Sequence, residues 1–176
     1  MTNGLIVGMP LPGVSLPYLG LHRPGPGIGG AIEGTVLSDA ILGISTHYYD
    51  KRTIPCTKHL GHCVGCVDWQ RKAQWNGYFV VRSPRTKEDG VFQVTRFAVD
   101  GCPALTMDGF TLRGAYVRLQ RKGESPQGKV TMSFIEEKRT RQPIRCPDLI
   151  AGLARMWEME LSALRRAIGW KEEVRA

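Results

Sequence analysis

Apolar and polar positions alternate through the middle of the chain, and the clearest instance is a pair of arms at residues 112–121 and 129–137. Ala115, Val117 and Leu119 share one face with Val130, Met132 and Phe134, while Tyr116, Arg118 and Gln120 fall on the other with Lys129, Thr131 and Ser133. Turn-forming residues fill the connection at 123–128, so the two arms predict a β-hairpin with one buried face and one basic, aromatic, wet face. Shorter β-rich runs at 35–37, 44–49, 77–82 and 91–99 predict further strands. The period changes after Pro147. Leu149, Leu153, Met156, Trp157, Leu161, Leu164 and Ile168 recur three or four residues apart, which predicts one amphipathic helix ending at Gly169.

The first 30 residues behave differently. They contain eight glycines, five prolines and a single charged residue, Arg23, a composition that predicts an extended, mobile tail. The chain therefore divides into a Gly/Pro-rich tail at 1–30, a mainly β domain at 31–146, and a C-terminal helix at 147–170. Its 176 residues suffice for one core with appendages. No run of about 18 apolar residues exists, and the run between Leu5 and Leu21 is broken by Pro10, Pro12 and Pro17. No basic residue precedes that run, as a signal peptide would require, so a cytoplasmic location and no membrane partner are expected.

Charge sharpens the picture. The formal net charge is +8, and residues 50–87 and 111–146 each carry a net +6, leaving the remainder acidic. Two basic segments on an acidic background point to a localised anionic partner, with nucleic acid ahead of a membrane surface. The competing reading is a solvated basic face without a partner.

Candidate chemistry is concentrated in the cysteines. Three of the five, Cys56, Cys63 and Cys66, lie within eleven residues, and Cys63-x-x-Cys66 has the spacing of a zinc knuckle. An odd count argues against a disulfide framework. A thioredoxin-like redox pair needs a strand-to-helix junction in an α/β fold, and a zinc deaminase needs an upstream His-x-Glu that neither His22 nor His47 supplies. A structural zinc site of three thiolates and one imidazole is the expected use. His62 adjoins Cys63 too closely to share its ion. His59 and His47 remain as fourth ligand, and His47 is favoured because a strand would hold it rigidly while a loop brings the cysteines.

A histidine on a strand, then one cysteine, then a Cys-x-x-Cys pair, is similar to the zinc element of the T-even phage single-stranded DNA-binding proteins. That resemblance covers residues 44–82 and falls on His47, Cys56, Cys63 and Cys66. It implies an oligonucleotide-binding (OB) antiparallel barrel with an inserted zinc element at 47–66, a role in DNA replication, and a phage or mobile-element setting. The chain departs from that family in its shorter gaps and in lacking an acidic tail, since it ends Glu172-Glu173-Val174-Arg175-Ala176.

Single-stranded nucleic acid would need aromatic rings for bases and cations for phosphates. The expected set is Trp75, Tyr78, Arg82, Arg113, Tyr116, Arg118, Arg121 and Lys129, centred on the wet hairpin face. Trp69 and Trp157 are expected in the core. No catalytic constellation is recognisable, so a non-enzymatic role is expected. The alternative is a zinc-stabilised adaptor acting through its apolar tail and helix, which also offer a route to self-association.

Overall fold

The computed structural model describes residues 19–142 and 145–169. It divides into two compact units: residues 19–44 with 75–149, and residues 45–74 with 150 onward. The expected elements at 1–18 and 170–176 lie outside the described residues.

The larger unit is built on strands β1 (Gly20–His22), β2 (Ile32–Val36), β5 (Gln74–Arg82), β6 (Asp89–Thr95), β7 (Tyr116–Arg121) and β8 (Val130–Phe134). Their order is β1-β6-β5-β2-β7-β8. Strand β3 (Leu42–Tyr49) runs on into the smaller unit and pairs with β4 (Arg52–Pro55) and with β5, giving eight strands in all. β1 lies inside the Gly/Pro-rich stretch and runs parallel to β6, with Leu21 opposite Val91. The pairings of β2 with β5 and β7, and of β5 with β6, are antiparallel.

This overturns the expected OB barrel. The sheet is mixed and open: one end is the parallel strand β1, and β8 at the other end pairs only with β7. An antiparallel barrel has no free edge, because its first and last strands close on each other. Short helix α2 (Arg96–Asp100) packs against β6 and β8, where the sequence pattern had predicted strand to Val99. Thr95 caps it by accepting from the Ala98 amide, and this local bond ends the strand early. The fold is mixed α/β, and the likeness to the T-even phage family stops at the ligand pattern. The OB fold, and the replication and mobile-element setting that it implied, go with it.

Alternation did place the hairpin's share of the larger unit's core, Val117, Leu119, Val130 and Met132. Val36, Phe79, Val81, Phe92, Val94, Val117, Leu119, Val130 and Met132 form one buried cluster. The far face of the hairpin is covered at its Tyr116 end, however. β7 lies between β2 and β8, the ladder continues past β8 with Ile135 N–H bonded to Tyr116 O, and Lys138 in the segment that follows lies over the Tyr116 ring at 4.6 Å. Tyr116 is therefore buried.

In the smaller unit the expected long helix is two helices, α3 (Leu149–Met156) and α4 (Leu161–Ala167). The break is a Schellman-type stop: Glu158 has φ 54°, its N–H reaches Arg155 O, and Met159 N–H reaches Ala154 O at 2.8 Å. Glycine normally takes that left-handed position, so the sequence carried no stop signal there. Glu158→Gly is expected to raise stability by about 1 kcal/mol, seen as a higher urea midpoint with an unchanged slope. Leu153 and Leu164 of the apolar stripe are buried, together with Ile150, Ala154 and Ala167, while Leu149, Met156, Trp157, Leu161 and Ile168 are half-buried.

Candidate metal centre

The centre lies wholly in the smaller unit and starts from a tight hairpin. β3 and β4 pair with Thr46 opposite Pro55, His47 opposite Ile54 and Tyr49 opposite Arg52. The two-residue turn Asp50-Lys51 has φ of 47° and 63°, the sign that a type I′ turn requires at both positions. Cys56 N–H bonds to Ser45 O at 2.7 Å, so the ladder continues to the first cysteine. A loop follows, closed by the Thr57 hydroxyl donating to His62 O at 2.7 Å. Cys63 then stands at the start of short helix α1 (Val64–Val67), with the amides of Cys66 and Val67 donating back to its carbonyl. Three residues along this turn, Cys66 projects on the same side as Cys63.

Together these elements bring His47, Cys56, Cys63 and Cys66 into one cluster, with all four ligand atoms within 4.8 Å of one another. Cys56 Sγ lies 3.8 Å from Cys66 Sγ and 3.9 Å from Cys63 Sγ. His47 Nε2 lies 3.4 Å from Cys63 Sγ and 3.5 Å from Cys66 Sγ. A tetrahedral zinc ion, with bonds of about 2.3 Å to sulfur and 2.0–2.1 Å to nitrogen, would set its sulfurs about 3.8 Å apart and sulfur about 3.6 Å from nitrogen. The cluster has the dimensions of such a site and is able to chelate a metal. His59 and His62 are exposed and take no part.

Electrostatics distinguish the thiols. Burial pushes Cys63 up, but amides and side chains of Cys66 and Thr57 outweigh it and bring the thiol down to about 6. Cys66 is pushed up to about 11 by burial and by hydrogen bonding and charge from Cys56 and Cys63. The surroundings thus favour the thiolate at Cys63 and the thiol at Cys66, whose proton a metal binding here must displace.

His47 is fully buried, and its Nδ1 has no hydrogen-bond partner among the described residues. Metal-bound histidines usually donate their second nitrogen to a carbonyl or carboxylate. Here packing orients the ring instead. Gly65, in α1, lies against it so closely that a Cβ at that position would overlap His47 Cγ, Cδ2 and Cβ.

The residues expected to bind nucleic acid are not assembled into a site. Tyr78 and Tyr116 are buried at 1% and 6% exposure, which removes both as stacking platforms. Arg82 is paired with Asp89 at 2.7 Å and Arg113 with Asp39 at 2.7 Å. Arg121 donates to the carbonyls of Gly128 and Pro24, and Arg118 is half-buried with its Nε out of reach of solvent. Lys129 sits over the Phe97 ring at 4.8 Å, while the Trp75 ring carries Arg96 at 5.4 Å and covers Gly43. Of the expected cations on this unit, Arg82 and Arg113 are neutralised by carboxylates, and the others are drawn onto carbonyls or a ring or are half-buried.

Sequence reasoning passed over another group. Trp69, expected in the core, is only half-buried and lies 5.6 Å from the Tyr49 ring, and the Arg71 guanidinium sits 5.2 Å from that ring's centroid. Alternation could have found it, since Tyr49 is two residues beyond His47 on the same strand face.

The fold and site define a mixed α/β chain with a partly buried His/Cys cluster able to chelate a metal. Comparisons with protein-family models, curated proteins and solved structures return no match. Among the described residues, no helix is long and apolar enough to cross a membrane.

Proposed function

We propose that the chain is a non-enzymatic binding protein whose smaller unit is ordered by one zinc ion, and whose partner is single-stranded nucleic acid. The observation that carries this is the spacing of the four ligand atoms, which matches a tetrahedral Cys₃His site. Three thiolates favour zinc over magnesium or calcium, which prefer oxygen. Four protein ligands fill the coordination shell, as in structural sites, and leave no position at which a zinc-bound water would be activated.

The nucleic-acid part of the reading is supported by the net charge of +8 and by unpaired cations in the metal-bearing unit. Two measurements test the proposal. Elemental analysis of freshly purified, reduced protein should find one zinc per chain; none would end the zinc reading. Titration with single-stranded oligonucleotides at several salt concentrations should show affinity falling steeply with salt, as release of counterions from phosphates demands. No binding at low salt would end the nucleic-acid reading.

A further inference from the structure

Resting on the nucleic-acid reading above, we infer that the single strand binds on the metal-bearing unit itself, with bases against Tyr49 and Trp69 and phosphates against Arg52 and Arg71. Cross-strand partners share a sheet face, so Tyr49 and Arg52 project on the same side as His47 and Ile54. Trp69 and Arg71 follow directly after α1, the helix that carries Cys66. One half of the array therefore comes from the hairpin and the other from the segment after the knuckle, and the metal cluster joins them.

Two exposed tyrosines and a dense group of cations mark this place. Tyr48 and Tyr49 are 63% and 44% exposed, unusual for adjacent aromatic residues on a strand. Lys51, Arg52, Arg71 and Lys72 are all exposed, and among the described residues none forms an ion pair. In the larger unit Arg82, Arg96, Arg113, Lys138 and Arg139 each sit on a carboxylate, while Arg85, Lys87, Lys122 and Lys129 are exposed and, among the described residues, form no ion pair. Between residues 45 and 74 the only acidic residues are Asp50 and Asp68, against five lysines and arginines. Free cations beside exposed rings complement a polyanion that also carries flat apolar groups. A single-stranded nucleic acid has both; an acidic peptide has the charge without the bases. The tilt of Trp69 against Tyr49, 37° between ring planes, leaves the pair splayed rather than closed on itself.

The test is a fluorescence titration of the full chain with an oligothymidylate, comparing the parent with Tyr49→Ala, Tyr49→Phe, Arg71→Gln, Arg52→Gln and, as a control, Arg113→Gln. Each variant is first assayed for one metal per chain, so that loss of binding is not loss of the module. Tyr49→Ala should weaken binding between about 5- and 150-fold with little change in salt dependence, as a lost stacking platform does, and Tyr49→Phe should restore it. Arg71→Gln and Arg52→Gln should each lower the log–log salt slope by about 0.7, the increment of one phosphate contact on a single strand. Arg113→Gln should bind like the parent. If the parent binds but Tyr49→Ala and Arg71→Gln bind equally well with metal in place, the surface is elsewhere and this inference falls while the nucleic-acid reading stands. If the parent binds no oligonucleotide, that reading falls first. If poly-glutamate displaces the oligonucleotide at equal charge concentration, the site reads charge alone and the assignment of bases to Tyr49 and Trp69 is overturned.

Discussion

Cys63→Ser is expected to abolish stoichiometric metal binding and to unfold residues 45–74 of the smaller unit. Cys63 is at the centre of the cluster, with contacts to His47 Nε2 at 3.4 Å and Cys56 Sγ at 3.9 Å. The residues around it offer little apolar burial to replace the ion. Between residues 56 and 70 only Cys63 and Gly65 are buried, and Leu60 and Val67 are among the exposed large hydrophobic residues. Where so little core exists, metal-binding free energy becomes folding free energy, about 10–16 kcal/mol for zinc-finger peptides at neutral pH. The expected outcome is loss of the metal in elemental analysis, and loss of amide protection from hydrogen exchange over residues 45–74. The sheet core around Phe79 and Leu119 should keep its protection, because those residues belong to the other unit. Unchanged protection in Cys63→Ser would show that the loop is held by something other than a metal. His47→Ala should give the same result, whereas His59→Ala should retain full metal, since His59 is exposed and outside the cluster.

Gly65→Ala should be nearly as damaging, although it removes no ligand and adds only a methyl group. That methyl would overlap the His47 ring at Cγ and Cδ2, and the ring has no hydrogen bond at Nδ1 to resist being turned. The backbone has little room to retreat: Gly65 O accepts from Arg71 N–H at 3.0 Å, and its neighbours are tied to Cys63 O. Displacing the imidazole from its position 3.5 Å from Cys66 Sγ spoils the tetrahedron. Metal affinity should fall at least 10- to 100-fold, the range seen when groups that orient a metal ligand are altered. Competition with a chromophoric chelator measures it directly. An alanine variant with parental affinity would show that packing does not set the ring. Gly61→Ala, where a Cβ would meet nothing within 4 Å but φ is 98°, separates backbone strain from ring displacement: it should cost stability yet leave the ligand geometry intact.

The sequence by itself supplied the three thiols and narrowed the fourth ligand to His47 or His59, and the structure brings His47 into the cluster. Three thiols in eleven residues and a strand histidine are local features, and the strand periodicity that favoured His47 over His59 depends only on nearest neighbours. The same locality explains the well-placed core of the hairpin, where Val117, Leu119, Val130 and Met132 alternate over both arms. Two stops were invisible because the residues at them do not advertise the conformation they adopt. Glu158 takes a left-handed turn that glycine usually marks, and Asp50-Lys51 make a primed turn without the expected glycine. The open, mixed sheet was beyond local reasoning, since the parallel pairing of Leu21 with Val91 joins segments 70 residues apart. The fate of the basic face was also a tertiary matter. Alternation correctly sent Tyr116 and Arg118 to the side opposite Val117, but a period of two says only which face a residue is on. Whether water or protein covers that face depends on what folds over it. Here Lys138 covered the Tyr116 ring, Asp39, distant in sequence, paired with Arg113, and the carbonyls of Pro24 and Gly128 took Arg121.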